Sequence, residues 1–432
     1  MNFKKYYIET YGCQMNEADS EIIAGLLEGC NYKATRAPEE ADIILVNTCS
    51  VREGADRRAI ARLSQYKYLK KQKPGLTLGL VGCVAQRDRG KILKQKPFID
   101  LVLGPDSYRR IPELIRHDEK PYIDVHLSKQ EVYEGLMPFR NTQVNAWVSI
   151  MRGCNKFCSF CIVPFTRGRE RSRAVESIVT EVKKAIQDGY QEITLLGQNV
   201  NSYKHQGDRF PDLLKAVALI PGVKRIRFTS PHPQDVDEAM LKVMCEHENI
   251  CKSIHLPLQA GATKILKLMN RTYSKEKYLD VVDKIREYMP DCGITTDIIV
   301  GFPGETDEDF EETLDVMDRV VFDNAYMFKY SLRPGTAAAK LPDDVPENVK
   351  AERLNRIIEK QKIHLLAKNR ALVGTVQTVL IDGLSKKSSG EKIGRTDTNK
   401  LVILKTGSAR IGEMVKVLIY DAAGVSLFGK ID

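Results

Sequence analysis

The chain has 432 residues, 43% hydrophobic and 28% charged. That excludes a disordered, collagenous or disulfide-scaffold protein, and it is more than one ordinary core holds, so two or three domains are expected. The formal charge of +9 favours a polyanionic partner such as RNA, although a basic balance is also ordinary for a solvated surface.

Two lysines lie near the start, but no apolar segment follows them and no transmembrane run occurs anywhere. A cytoplasmic protein with no membrane partner is expected. The ten cysteines then read as metal ligands or buried thiols rather than disulfides.

Three segments of the N-terminal third share one design. Residues 5–10 end in Tyr11-Gly12-Cys13, residues 41–46 in Asn47-Thr48-Cys49, and residues 76–81 in Gly82-Cys83. Each β-prone run gives way to a helical pattern, at 18–27, 53–70 and 87–95. Two more strands are expected at 99–103 and 122–125, with a helix over 107–116. The alternation predicts βαβ units and a flavodoxin-like parallel sheet of about five strands. Residues 1–120 form this domain, and 121–140 read as a linker. Ligands of such sheets bind outside the carboxyl ends of the strands, so Cys13, Cys49 and Cys83 are expected to converge there as ligands of a cluster. Any one of them alone reads equally well as a buried, inert thiol. Cys30 breaks the pattern and reads as structural.

Strands and helices alternate again over residues 141–368. The strands are expected at 146–151, 192–196, 225–229, 253–256, 294–300 and 325–330, with helices at 175–188, 235–245, 263–269, 275–288 and 307–320. Six βα units predict a partial (β/α)6 barrel with its active site at the carboxyl ends of the strands. The first strand runs into Cys154, Cys158 and Cys161, spaced C-x3-C-x2-C. No fourth ligand is nearby. A structural zinc site closes with four ligands and protein-bound cubanes usually carry four cysteines, so three thiolates point to a [4Fe-4S] cluster with one iron open. A zinc knuckle with a remote His, or a loop of reduced thiols, is the alternative.

The other strand ends are polar. Gln198 and Asn199 follow the second strand, Ser230 and His232 the third. His255 and Gln259 mark the fourth, Asp297 and Gly301 the fifth. These are candidates for cofactor or substrate contacts, although turns after strands are rich in such residues anyway. Arg167, Arg169, Arg171 and Arg173 follow the cysteine loop and read as a phosphate grip or as a solvated cap on the next helix. Cys245, Cys251, Cys292 and Trp147 read as core.

Residues 346–370 read as a long charged helix. Short strands at 374–381, 391–396, 401–404, 414–420 and 426–430 then predict a small OB-like β-barrel over 369–432. Lys386, Lys387, Lys392, Arg395, Lys400, Lys405 and Arg410 make it basic, as small RNA-binding barrels often are; a solvated accessory domain is the bland reading.

The three cysteine motifs of the first domain, the Cys154-Cys158-Cys161 loop with Pro164-Phe165-Thr166-Arg167-Gly168, and Leu196-Gly197-Gln198-Asn199-Val200-Asn201-Ser202-Tyr203 together resemble the radical S-adenosylmethionine (SAM) methylthiotransferases, which makes the polar strand-end residues candidates for SAM or substrate contacts. The likeness covers essentially the whole chain, is greatest to the branch acting on N6-isopentenyladenosine, and makes the final barrel similar to a TRAM domain. It implies two [4Fe-4S] clusters: an auxiliary one on Cys13, Cys49 and Cys83, and a radical SAM one on Cys154, Cys158 and Cys161. It implies methylthiolation of C2 of N6-isopentenyladenosine at position 37, in the anticodon stem-loop of tRNA. One SAM would methylate a sulfur held at the auxiliary cluster, and a second would yield a 5′-deoxyadenosyl radical. An external reductant is implied, and the sulfur donor is left open. Competing readings are methylthiolation of threonylcarbamoyl-adenosine 37, methylthiolation of an aspartate in a small-subunit ribosomal protein, plain radical SAM methyl transfer, and a non-catalytic RNA-binding protein with structural clusters.

Overall fold

The computed structural model describes residues 3–50, 53–116, 120–140, 144–385, 390–405 and 409–431. Its first domain is a parallel sheet of β1 (Lys4–Thr10), β2 (Tyr32–Ala34), β3 (Ile43–Thr48), β4 (Thr77–Gly82), β5 (Leu101–Leu103) and β6 (Tyr122–Asp124), in the order β2-β1-β3-β4-β5-β6. Every residue of β3 and β4 is buried, as in the central strands of a sheet covered on both faces. Helices α1 (Gln14–Glu28), α2 (Glu53–Gln72) and α3 (Cys83–Asp88) follow β1, β3 and β4. The strand order reverses beside β1, which creates the crevice where such sheets bind ligands.

Two boundaries differ from expectation. β2 was not anticipated; it has three residues, of which only Tyr32 is buried, too few to show a period. The expected linker 121–140 belongs to the first domain: β6 lies within it, Tyr133 is buried in the core beside β1, and the Phe139 amide donates to Glu21 O on α1 at 2.8 Å. The helix expected over 87–95 is also interrupted. Arg89 adopts φ 48 and Gly90 φ 79, so α3 ends early and Ile92–Gln95 forms a separate turn.

The second domain is the expected open barrel. Its six strands are Asn145–Ser149, Glu192–Leu196, Arg225–Phe228, Ser253–His255, Gly293–Val300 and Asn324–Lys329. They form two parallel three-stranded sheets, joined by a parallel bridge between Ile226 and Ile250. Among the described residues no ladder closes the first strand onto the sixth. Helix Glu347–Arg370 leads to a closed five-stranded barrel of Val376–Leu384, Lys392–Thr396, Leu401–Leu404, Ser426–Ile431 and Met414–Ala423.

The small barrel is docked on the amino ends of the large barrel's strands. Arg225 donates to Thr378 O at 2.8 Å, Arg227 to Thr396 O at 2.8 Å, and the Lys252 amide to Asp397 Oδ2 at 3.0 Å. Lys400 is consumed by this joint, ion-paired with Asp323 at 2.8 Å, so it does not serve the RNA role expected of it. Lys392 bonds the Ala409 carbonyl. Arg395 lies 3.5 Å from Asp382. Lys405, which lies over the Phe428 ring, and Arg410 are exposed. Lys386 and Lys387 lie outside the described residues. No helix among them is long and apolar enough to cross a membrane.

The first and second domains meet along α1. Arg140 reaches Glu21 at 3.4 Å and also pairs with Glu181, which holds Arg173 at 2.6 Å. Burial pushes the Glu21 carboxyl up to about 8, against the opposing pull of Arg140. A raised acid stabilises the fold while it stays protonated, and that contribution is lost as pH climbs from 4.5, the ordinary value, towards 8. Glu21→Gln should therefore raise the thermal midpoint by several degrees near pH 8.5 and leave it unchanged near pH 5, read by scanning calorimetry.

Candidate active site

Cys13 is the residue before α1, Cys49 follows β3 and Cys83 opens α3, so all three lie at the carboxyl edge of the sheet, at the crevice. Buried polar side chains staple the three turns together. Asn16 Oδ1 accepts from the Cys13 amide at 3.3 Å, and its Nδ2 donates to Asn47 Oδ1 at 3.1 Å and Thr48 O at 3.0 Å. Asn47 Nδ2 returns a bond to Asn16 O at 2.9 Å. Thr48 Oγ1 donates to Val81 O at 2.6 Å and accepts from the Val84 amide at 3.3 Å. Gly12, at φ 147, packs so closely that a Cβ there would lie 2.5 Å from Cys49 Cβ. A hydrogen bond from Cys49 pulls the Cys13 thiol down to about 6, and the Arg167 charge adds to this.

The second triad sits at the tip of a hairpin. Met151–Arg152 pairs antiparallel with Arg171–Ser172, and the loop between them carries Cys154, Cys158 and Cys161. Gly153 has φ 78, and a Cβ there would lie 2.0 Å from Arg169 O, so only glycine lets the two arms close. Four successive residues after the fourth barrel strand hold the loop from behind. Leu268 O accepts from Ser159 Oγ at 2.8 Å and Met269 O from the Ser159 amide at 2.9 Å. Asn270 Nδ2 donates to Phe157 O at 2.8 Å, and Arg271 Nη1 donates to Cys158 Sγ at 3.2 Å. Burial pushes Cys154 up to about 11 and Cys161 up to about 12. Metal coordination deprotonates such thiols outright.

Among the described residues no group of three His, Cys, Asp or Glu side chains is drawn together around a single ion. Each triad has three sulfurs on short, stapled turns, and the second has an arginine N–H aimed at one sulfur. The residues therefore fit a [4Fe-4S] cluster at each position. Helix Val163–Arg167 follows Cys161 directly and packs on α3, which begins at Cys83, so a single short element joins the two centres.

The eight polar candidates all lie on the carboxyl face, but several are committed to one another. Gln198 Oε1 accepts from the Gly153 amide, leaving its buried Nε2 without a partner among the described residues. Asn199 bonds Asp235 at 2.8 Å, Asp235 bonds Lys156 at 2.7 Å, and the His232 amide donates to Asn199 and Asn201. Ser230 (φ 59) and Gln259 (φ 71) form tight turns. Gly301, at φ 70, donates its amide to Glu305 at 2.6 Å. Burial and the charges of Arg271 and Lys156 pull His232 down to about 2, and its Nδ1 accepts from the Gln234 amide. It stays neutral and is a hydrogen-bond partner rather than a base. His255 bonds Thr295 at 3.0 Å and Asp297 at 3.2 Å.

Three of the four arginines expected to grip phosphate are buried in ion pairs. Arg167 holds Asp19 at 2.6 Å, Arg171 holds Asp106 at 3.1 Å, and Arg173 holds Glu181 at 2.6 Å. Arg152 joins them, fully buried 2.9 Å from Asp106 and 3.7 Å above the Tyr133 ring. Their charges are taken up by the domain seam, leaving Arg169 exposed. Trp147 likewise packs at the seam with Met15, Ala18 and Leu196, and Cys245 is exposed rather than core.

The Radical SAM superfamily matches residues 148–317, the family described as Uncharacterized protein family UPF0004 matches 5–104, and the TRAM domain matches 370–431. Over 440 residues the chain is 48% identical to a tRNA-2-methylthio-N(6)-dimethylallyladenosine synthase of Porphyromonas gingivalis, covering 99% of this chain and 95% of the relative. The Bacteroides fragilis protein of the same name is 47% identical, with the same coverage. The chain belongs to the tRNA-2-methylthio-N(6)-dimethylallyladenosine synthase family. It is a radical SAM enzyme and a transferase.

Among solved structures the fold is similar to the radical SAM methyltransferase TsrM from Kitasatospora setae (TM-score 0.58, 12% identity, 87% of this chain and 78% of that one). It is also similar to the cobalamin-dependent radical enzyme OxsB (TM-score 0.55, 11% identity, 83% and 56%).

The residues that sequence reasoning missed are the staples, Asn16, Asn47 and Thr48, and the buttress, Leu268 to Arg271. Asn47 and Thr48 adjoin Cys49 and carried a local signal. Arg271 is more than a hundred residues from its sulfur and carried none. Hydrogen bonds to sulfur and nearby charge set cluster potentials. Arg271→Gln should move the midpoint of the reconstituted cluster to more negative potential, with Arg271→Lys intermediate, read by redox titration monitored by electron paramagnetic resonance.

Proposed function

We propose that the chain methylthiolates C2 of N6-isopentenyladenosine at position 37 of tRNA. The observation that carries this reading is the pairing of two three-cysteine sites, each one ligand short of a closed site, at the facing carboxyl edges of a parallel sheet and an open barrel, joined by helix Val163–Arg167. A structural cluster has no reason to omit a ligand twice. The names of the full-length relatives give the same reaction for those proteins.

An aromatic C–H at C2 is inert to acid–base chemistry, and SAM held with a [4Fe-4S] cluster supplies the methyl group and the radical that no side chain provides. The chain's own residues bind and orient. Cys154, Cys158 and Cys161 would hold one cluster and Cys13, Cys49 and Cys83 the other. Gln198, whose buried Nε2 lacks a partner beside the cysteine loop, suits an acceptor oxygen of SAM. His255, fixed between Thr295 and Asp297, lines the open barrel with Tyr326 against its ring. The opening between the first and sixth strands would admit a macromolecular substrate.

The small barrel sits at the far end of strands such as Gly293–Val300, whose eight residues span about 26 Å. An anticodon stem-loop reaching both ends would lie along the open barrel. The reaction also calls for an external reductant and a sulfur donor.

The deciding assay is anaerobic. Reconstituted protein, SAM, a reductant and isopentenylated tRNA are incubated, and digested nucleosides are weighed by mass spectrometry. A methylthio gain on isopentenyladenosine is expected. Cys49→Ala should abolish that gain while 5′-deoxyadenosine still forms; retained methylthio product would remove the auxiliary site from the reaction.

Lys405→Glu with Arg410→Glu should weaken tRNA binding and reduce the slope of log affinity against log salt by about 2, measured by fluorescence anisotropy. An unchanged slope would take this face of the small barrel out of the RNA contact.

A further inference from the structure

Three side chains of the cysteine loop and its arms pack on one another. Phe157 lies between Cys154 and Cys158, Phe165 on the helix that follows, and Arg169 on the returning arm. The Arg169 guanidinium lies 4.1 Å from the centre of the Phe157 ring. Phe165 meets that ring edge-on, with centroids 6.3 Å apart at 88°. Phe165 is 44% exposed and Arg169 is exposed. Arg167, Arg171 and Arg173 are each buried against a carboxylate, whereas among the described residues no carboxylate ion-pairs with Arg169. Phe157 also sits at φ 48, a conformation unfavourable for an aromatic residue. Asn270 holds it there through bonds to Phe157 O at 2.8 Å and Lys156 O at 3.3 Å. Backbone strain of this kind persists where the surroundings enforce it and clusters at functional sites.

A guanidinium plane beside exposed aromatic rings is the surface on which unpaired nucleobases stack, and the cation suits a polyanion. We propose that Phe157, Phe165 and Arg169 form a stacking platform for an unpaired loop nucleotide next to the adenosine that reacts. This rests on the tRNA reading above. The exposure of Phe165 and Arg169 suits a neighbour of the reacting base rather than the reacting base itself. The platform's role is to fix the register of the loop on the active face.

The test uses full-length reconstituted enzyme and an isopentenylated anticodon stem-loop carrying 2-aminopurine at each nucleotide flanking the target in turn. Phe165→Ala and Arg169→Ala should each raise the dissociation constant about ten-fold, with cluster absorbance and RNA-independent SAM cleavage unchanged. At one flanking position the fluorescence quenching of the bound probe should vanish in the variants. An abasic nucleotide there should make wild type and variants bind alike. Arg169→Lys keeps the charge but loses the plane, and should bind as weakly as Arg169→Ala.

Unchanged RNA affinity in both alanine variants would overturn the platform, and full rescue by Arg169→Lys would reassign Arg169 to a phosphate contact. Slower cluster reduction by a protein electron donor, with RNA binding intact, would assign the patch to that donor instead. If wild type methylthiolates no tRNA, the function reading fails. If it does so while the variants bind normally, only the platform fails.

Discussion

The active site depends on a buried seam of charge between the first two domains. Asp19 and Asp106 come from the sheet domain, and Arg152, Arg167 and Arg171 from the hairpin that carries the cysteine loop. Tyr133 closes the seam beneath the Arg152 guanidinium, its hydroxyl 3.1 Å from Asp19 Oδ1 and 2.9 Å from Pro105 O. Buried pairs of this kind add little net stability compared with apolar packing, but removing one partner costs about 3–5 kcal/mol because it strands a charge. Such a seam therefore enforces register more than it adds stability. Asp19 lies on the helix that begins just after Cys13, and Arg167 ends the helix that begins just after Cys161. Their ion pair fixes one triad against the other, which a catalyst working between two centres requires.

The barrel's openness follows from the same joint. A closed eight-stranded barrel fills its interior with side chains. Here the first strand's Trp147 turns instead to Met15 and Ala18 of α1, so the sheet domain covers part of the lumen that further strands would otherwise close. The other end is sealed by the small barrel, whose carbonyls at Thr378 and Thr396 satisfy Arg225 and Arg227. One end is plugged and the other is shared with a second domain. Among the described residues no ladder closes the gap between the first and sixth strands.

Much of this was legible in the chain. The triads were readable because cysteine after a β-prone run recurs three times, and because C-x3-C-x2-C is short and local. The six barrel strands were readable because each is an apolar run bounded by turn residues. The arginine run was misread because spacing reports charge and not its partner: Arg167 and Arg171 find their carboxylates on Asp19 and Asp106, far away in sequence. For the same reason the Arg271 bond to Cys158 was invisible, and residues 121–140 looked like a linker when β6 hydrogen-bonds into the sheet through β5. Local pattern identifies elements and motifs; long-range electrostatic pairing appears only once the chain is folded.

The seam also leaves an electrostatic residue that bears on chemistry. Three guanidinium groups meet Asp19 and Asp106 there, and Glu131 also acts on Arg152 and Arg171, so buried positive groups lie beside the cysteine turns. Arg167 reaches the cysteine sulfurs, its charge adding to the Cys49 hydrogen bond that lowers the Cys13 thiol. A cluster held by three thiolates is anionic, and burying it without a counter-charge is costly. Arg167 supplies positive charge on the sheet side, as Arg271 does on the barrel side, hydrogen-bonded to Cys158 and held by Tyr273 and Pro257 O. Each triad thus has a buried arginine of its own, fixed by partners outside the cysteine turns. Both cysteine triads accordingly have a buried positive group beside them, close to the domain boundary.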